Sequence, residues 1–133
     1  MKKMLMAFGV VLGLAATAYA ITVTVSSQQL LNSGLAATYT STGLSTSNTY
    51  SFNNDGRVFL HFKKTGAGDC TVTITTPGTV QGLAIADVTV SVPATTGDKF
   101  VGPFSTSLFN DASQNVSYTL SDTVGLSVAL LRL

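Results

Sequence analysis

The chain has 133 residues, 10% of them charged, and a formal net charge of +1 at neutral pH. The usual charged fraction is about 25%, and no basic stripe is present to neutralise phosphates, so we expect no nucleic-acid partner. The single cysteine, Cys70, excludes an intrachain disulfide and a cysteine-rich zinc site.

Residues 1–20 form an apolar leader that resembles a secretory signal peptide. Lys2 and Lys3 supply the positive charge, residues 4–16 are almost wholly apolar, and Ala18-Tyr19-Ala20 fits a cleavage site. Cleavage there predicts a secreted or cell-surface protein. Two other interpretations stay open: a retained membrane anchor, which would be the chain's only membrane contact, and a buried arm in an assembly.

Residues 21–52 predict an extended arm rich in serine and threonine. Alternation in Ile21–Val25 predicts a first strand, and the rest of the arm has room for two short strands. The sequence Asn53-Asn54-Asp55-Gly56 predicts a turn, because these residue types tolerate positive φ. A domain covering residues 53–133 follows.

Within that domain, apolar residues alternate with serine and threonine, which is typical of strands with one face in a core. Ser107–Asp111 predicts a helical turn or a tight loop. We expect the last two strands to form a hairpin that turns at Ser121-Asp122. The predicted strands cover residues 57–63, 70–76, 88–92, 99–101, 116–120 and 124–132.

Short strands at this spacing predict an all-β fold, a single antiparallel β-sandwich or jelly-roll-like domain. Leu83 and Ile85 are expected to plug the connection before the strand 88–92. The predicted core consists of the inward positions of the strands together with one loop residue: Val58, Leu60, Phe62, Val72, Ile74, Val88, Val90, Val92, Phe104, Tyr118, Leu120, Leu126, Val128 and Leu130.

The residues that carry chemistry form no catalytic, cofactor-binding or metal-binding set, so we predict no enzyme, no cofactor and no metal site. His61 lies on the strand face opposite the core and predicts a surface or interface histidine. Cys70 predicts a small, half-buried hydrophobic residue, with an intermolecular disulfide as the alternative. The six aspartates are scattered in predicted loops. Asn54-Asp55 and Asn110-Asp111 are weak candidates for an adventitious cation contact.

Several short blocks, taken in order, resemble a domain common in small tailed-phage virion proteins. The resemblance covers about residues 53–133 and implies a head decoration (cement) subunit or a related head-assembly component. The blocks are Asn54–Lys63, Thr71–Val80, Gly82–Asp87, Val90–Pro93, Val101–Phe104, Phe109-Asn110 and Val128–Leu133.

The resemblance predicts a non-enzymatic structural protein on the virion surface, a homo-oligomer whose partners are the major capsid protein and copies of itself. The arm suits this role, since an extended segment can pair with a neighbour by strand addition. One alternative is an exported surface or filament subunit, with Ile21–Val25 as the donor strand. Another is a carbohydrate-binding domain in which Tyr39, Tyr50 and Tyr118 stack on sugars.

Overall fold

The structure is a computed structural model that describes residues 21–133, so the predicted leader lies outside the described residues. The all-β class is confirmed, and the predicted helical turn is present as α1. The elements are β1 (Thr22–Thr24), β2 (Gln28–Gln29), β3 (Thr49–Asn53), β4 (Val58–Lys64), β5 (Cys70–Ile74), β6 (Thr79–Val80), β7 (Leu83–Ala84), β8 (Val88–Val92), β9 (Gly97–Val101), α1 (Thr106–Phe109), β10 (Asn115–Leu120) and β11 (Leu126–Arg132).

Two main sheets and one small hairpin organise these strands. The first sheet has the order β1-β3-β10-β5-β8, the second has the order β2-β11-β4-β9, and β6 pairs with β7. The pairings among β3, β4, β5, β8, β9, β10 and β11 are antiparallel. In contrast, β1 runs parallel to β3, and β2 runs parallel to β11. The finer assignment to a sandwich or jelly roll stays a prediction.

The inward residues of both sheets form one hydrophobic core. Phe62 of β4 meets Tyr118 of β10 edge-on, with 6.0 Å between ring centroids. Twelve of the fourteen predicted core residues are buried. The prediction was wrong for Val88, which is 40% exposed, and incomplete for Val90, which is partly buried. Both belong to β8, which has a neighbouring strand on only one side within residues 21–133.

The prediction of a hairpin between the last two strands was wrong. β10 belongs to the first sheet and β11 to the second, so the loop 121–125 carries the chain from one sheet to the other. Lys64 fixes this loop from inside, because its Nζ donates to Asp122 Oδ2 and to the Val124 carbonyl, each at 2.7 Å. The bond from Lys64, together with one from Val124 N to Asp122 Oδ1, lowers the pKa of the Asp122 carboxyl below its usual value.

The sequence placed β3 in the arm, and the structure places it inside the first sheet between β1 and β10. Tyr50 and Phe52 point into the core and are 2% and 0% exposed. The Tyr50 ring stacks on Tyr118 at 5.2 Å between centroids. The chain before β3 therefore joins the body of the molecule directly, and its first two strands extend both sheets.

Candidate assembly surface

Residues 21–40 are the first part of the predicted arm, and from here on we call this segment the arm. It covers one edge of each sheet with its own backbone. At the first sheet, Val25 N donates to Ser51 O at 2.8 Å. At the second sheet, Leu30 N donates to Arg132 O at 2.8 Å. Thr40 and Val128 exchange two backbone hydrogen bonds of 2.8 and 2.9 Å further along the same edge. The arm thus satisfies edge groups that would otherwise be free to pair with another chain.

The Gln28 side chain closes the middle of the arm into a loop. Its Nε2 donates to Thr38 O and its Oε1 accepts from Thr38 N, both at 2.7 Å. The amide thereby copies the donor and acceptor pattern of a neighbouring strand. The loop between residues 28 and 38 is therefore tied at its base next to β11, and its tip carries Leu31 exposed to solvent.

His61 connects the arm to β4 and β9. Its Nδ1 lies 2.7 Å from the Tyr39 hydroxyl, and its Nε2 lies 2.6 Å from Asp98 Oδ1. Phe100 stacks on the imidazole with 3.8 Å between ring centroids. Of the two alternatives predicted for His61, the surface one was wrong, since His61 is only 6% exposed, and the interface one stays a prediction. The face was correctly predicted, but Tyr39 from the arm and Phe100 from β9 cover it.

The hydrogen-bond roles around His61 follow from its partners. A carboxylate only accepts, so Nε2 carries the hydrogen that Asp98 receives. In the neutral imidazole Nδ1 is then an acceptor, and the Tyr39 hydroxyl donates to it. The Lys63 ammonium lies 4.6 Å from the centroid of the Tyr39 ring, on its face. We call His61, its contacts Tyr39, Asp98 and Phe100, and Lys63 the His61 cluster. Its contacts hold Tyr39 in one position, and we infer that the cluster fastens the arm.

A cavity of about 400 Å³ remains between the arm and the core. Its lining includes Val25 and Thr40 from the arm and Tyr118 and Val128 from the sheets. The Tyr118 hydroxyl is buried and has no hydrogen-bond partner among residues 21–133, and burial raises the pKa of this phenol far above its usual value. The Tyr50 hydroxyl, by contrast, accepts from Ser45 N at 2.7 Å. Because of this cavity, part of the arm's inner surface does not contact the core.

The predicted sugar contacts were wrong for Tyr50 and Tyr118. Their rings stack on each other inside the core and are 2% and 0% exposed, so neither offers a face to a ligand. Cys70 is fully buried at the start of β5. It therefore packs as a core residue, and its sulfur is not accessible for an intermolecular disulfide.

The asparagines that sequence analysis singled out bind other parts of the chain. Asn54 Nδ2 donates to Phe104 O at 3.0 Å and to Asn110 Oδ1 at 2.7 Å. Asn110 Nδ2 returns a bond of 2.9 Å to Asn54 O. Asp111 accepts from the backbone of Ser113 and Asn115. These groups hold the loops at one end of the sheets together. Across residues 21–133, no group of three or more histidine, cysteine or acidic side chains is placed to hold a metal ion.

The opposite side of the molecule ends in β8 and β9. Across residues 21–133, no strand pairs with the outer edge of β8. β8 carries no charged residue, whereas β9 carries Asp98 and Lys99, which discourage further pairing. The prediction that Leu83 plugs a connection was wrong, because it lies 72% exposed in the hairpin before β8. Val80 and Val88 are also exposed. We call residues 79–92 the β8 surface.

Comparison with known proteins returned no matching family model, curated protein or solved structure. In the part of the chain that the structure describes, the helix is far shorter than a membrane span. We therefore infer the function from the arm and the β8 surface.

Proposed function

We propose that the chain is a non-enzymatic structural subunit of a virion, a capsid decoration protein that binds the major capsid lattice through its β8 surface. The observation that carries the proposal is an uncharged, unpaired edge strand preceded by exposed apolar side chains. A flat, uncharged edge is a template for pairing with another chain. A protein that assembles on a lattice uses that pairing.

The chemistry of the β8 surface fits a protein partner. The backbone groups of β8 supply hydrogen bonds for strand addition, and alternate side chains supply contacts on each face. Val80 and Leu83 are 54% and 72% exposed, and they offer apolar anchors. A partner that covers these side chains removes apolar surface from water, which favours binding. The low charge of the chain leaves little long-range electrostatic steering.

The direct test measures binding of the purified full chain to capsids from its native source by co-sedimentation. Leu83→Asp places a charge on the β8 surface at a position that is already solvated, so the fold should tolerate it. We expect this variant to bind at least about tenfold more weakly, since a buried unpaired charge costs more than 1.4 kcal/mol.

Val124→Asp provides the matched control. Val124 is 63% exposed and lies next to Gly66. It follows the end of β10, where Leu120 pairs with Val72, whereas Val88 pairs with Ile74 at the other end of β5. This variant should bind capsids like the wild type. Equal binding by the wild type and Leu83→Asp would contradict the β8 surface as the contact, and no binding by the wild type would contradict the decoration role.

A second candidate function is an exported surface or filament subunit that assembles by strand addition. The observation in its favour is that residues 22–24 already form an edge strand, β1, immediately after the predicted cleavage site. Intact mass and cellular location separate the two candidates. A full-length chain that sediments with capsids supports decoration. A chain that begins at Ile21 and is recovered from the medium or cell surface supports export and contradicts decoration.

A further inference from the structure

We propose that the arm exchanges between two copies of this chain, so that residues 21–40 of each copy lie on the β3 and β11 edges of the other. This exchange takes place on the side of the molecule opposite the β8 surface, and it does not depend on capsid binding by that surface.

The way the arm is held permits exchange without new chemistry. Its strands β1 and β2 add to sheet edges through backbone hydrogen bonds and run parallel to their neighbours. Residues 21–47 contain no charged side chain, so no ion pair within the arm ties it to its own body. A second copy presents the same edges in the same register. An identical arm therefore makes identical contacts there.

The packing beneath the arm is incomplete. Val23 and Val25 are only partly buried against the core, and the cavity of about 400 Å³ lies under this part of the arm. The residues that line this pocket on the arm and on the core do not touch across it, so the dispersion contacts of a fully packed strand are missing there. Detaching the arm therefore costs less than removing a fully packed strand, which lowers the barrier to exchange.

The boundary between the exchanging and fixed parts of the chain is defined by contacts on either side of residues 41–43. Thr40 still pairs with Val128. Leu44 already packs against the core, and the Ser45 backbone both donates to and accepts from the Tyr50 hydroxyl. Between them, Gly43 has a φ of +74° and no heavy atom near its would-be Cβ. Residues 41–43 are therefore the hinge.

Reciprocal exchange produces a closed dimer with twofold symmetry. Every contact of the arm is kept in the dimer except those at the hinge, so the equilibrium depends mainly on concentration and on hinge strain. The exchange leaves both β8 edges unpaired. The dimer therefore keeps two β8 surfaces for any partner they bind.

Disulfide trapping between two full-length variants tests the exchange. Thr22 of β1 lies opposite Thr49 of β3 in the sheet register. We expect tagged Thr22→Cys, co-expressed with untagged Thr49→Cys and then oxidised, to capture its untagged partner in a covalent heterodimer. Thr89→Cys, exposed on β8, replaces Thr49→Cys in the control and should not be captured. Absence of the heterodimer, with Thr22→Cys/Thr49→Cys closing within one chain, would overturn the proposal.

Hinge length gives a second readout that needs no cysteine. Deleting Thr42 and Gly43 shortens the path from the arm to its own body, while the arm can still reach a neighbour. We expect at least a tenfold increase in the dimer-to-monomer ratio in sedimentation equilibrium, compared with the wild type at equal concentration. A deletion variant that is monomeric with its arm still protected from hydrogen exchange would overturn the proposal, whatever the capsid-binding result.

Discussion

On one side of the two sheets, the arm adds strands to β3 and β11. On the other side, no further strand from residues 21–133 follows β8 or β9. The arm side is also fastened by the His61 cluster, which joins the arm to β4 and β9. The β8 side has no equivalent cover among the described residues. The two sides therefore differ in how their backbone groups are satisfied.

This difference shows that unpaired edges in one small domain can be managed in separate ways. The β3 and β11 edges are covered by the chain itself. The β9 edge carries Asp98 and Lys99, whereas β8 has no charged residue and none of the described strands covers its outer edge. An uncharged open edge is an aggregation hazard unless a partner occupies it. We therefore connect the β8 edge to assembly and the arm side to the integrity of the subunit.

The largest expected effect comes from truncating one valine on each side. Val128 on the arm side is 3% exposed, and Val88 on β8 is 40% exposed. Val128→Ala should lower the free energy of unfolding by about 2 kcal/mol, because two buried methyl groups lose their contacts. Val88→Ala should cost less than about 0.5 kcal/mol. Urea denaturation of both variants measures the difference.

The same valine pair also tests the assignment of surfaces. Val88→Ala should weaken capsid binding with little loss of stability, and Val128→Ala should bind normally at a temperature where it is folded. Equal destabilisation by both substitutions would show that β8 is covered in the free protein. That result would remove the distinction between the two sides.

A smaller effect separates two tyrosines on the arm side. The Tyr50 hydroxyl bonds to both backbone groups of Ser45, whereas the Tyr118 hydroxyl is buried and finds no partner in the described part of the chain. Tyr50→Phe should cost about 1 kcal/mol, and Tyr118→Phe should be neutral or slightly stabilising. Thermal unfolding of the two variants compares them at constant ring packing. A loss in Tyr118→Phe equal to that in Tyr50→Phe would mean that the Tyr118 hydroxyl has a partner after all.

The smallest expected effect is a pH dependence at the end of the sheets, where the loop 121–125 passes between them. The Lys64 ammonium lowers the pKa of Asp122 in the folded state. The carboxylate therefore stabilises the fold above its unfolded pKa, near pH 4, and this contribution disappears as pH falls through the lower folded pKa. Asp122→Asn should lack this part of the acid sensitivity. If the free energy of unfolding of the wild type and of Asp122→Asn changed in the same way between pH 6 and 2.5, that result would contradict a stabilising Lys64–Asp122 pair.

Alternation along the strands predicted the all-β class and most of the core, because one face of β4, β5, β10 and β11 is consistently apolar. It missed Tyr50 and Phe52, since serine, threonine and asparagine surround them as they do in the arm. Alternation also does not state which sheet a strand joins. β10 and β11 therefore resembled a hairpin, although each pairs within a different sheet.

The functional surfaces were harder to predict than the core, because they depend on which segment covers which edge. Nothing local to His61 indicates that Tyr39, twenty-two residues earlier, hydrogen-bonds to it. In the same way, the pattern of β8 is that of a core strand, and only the strand order shows that it lies at an edge. The low charge of β8 was visible in the sequence, but its meaning required the fold.

The most direct measurement is amide hydrogen exchange of the full chain, free and bound to capsids. In the free protein, we expect rapid exchange at the outer amides of β8 and slower exchange at the edge of β3 under the arm. Capsid binding should slow exchange in residues 79–92 and leave β1, β3 and β11 unchanged. Protection confined to the arm side on capsid binding, or unchanged amide exchange in β8 of the bound protein, would contradict the β8 surface as the capsid contact.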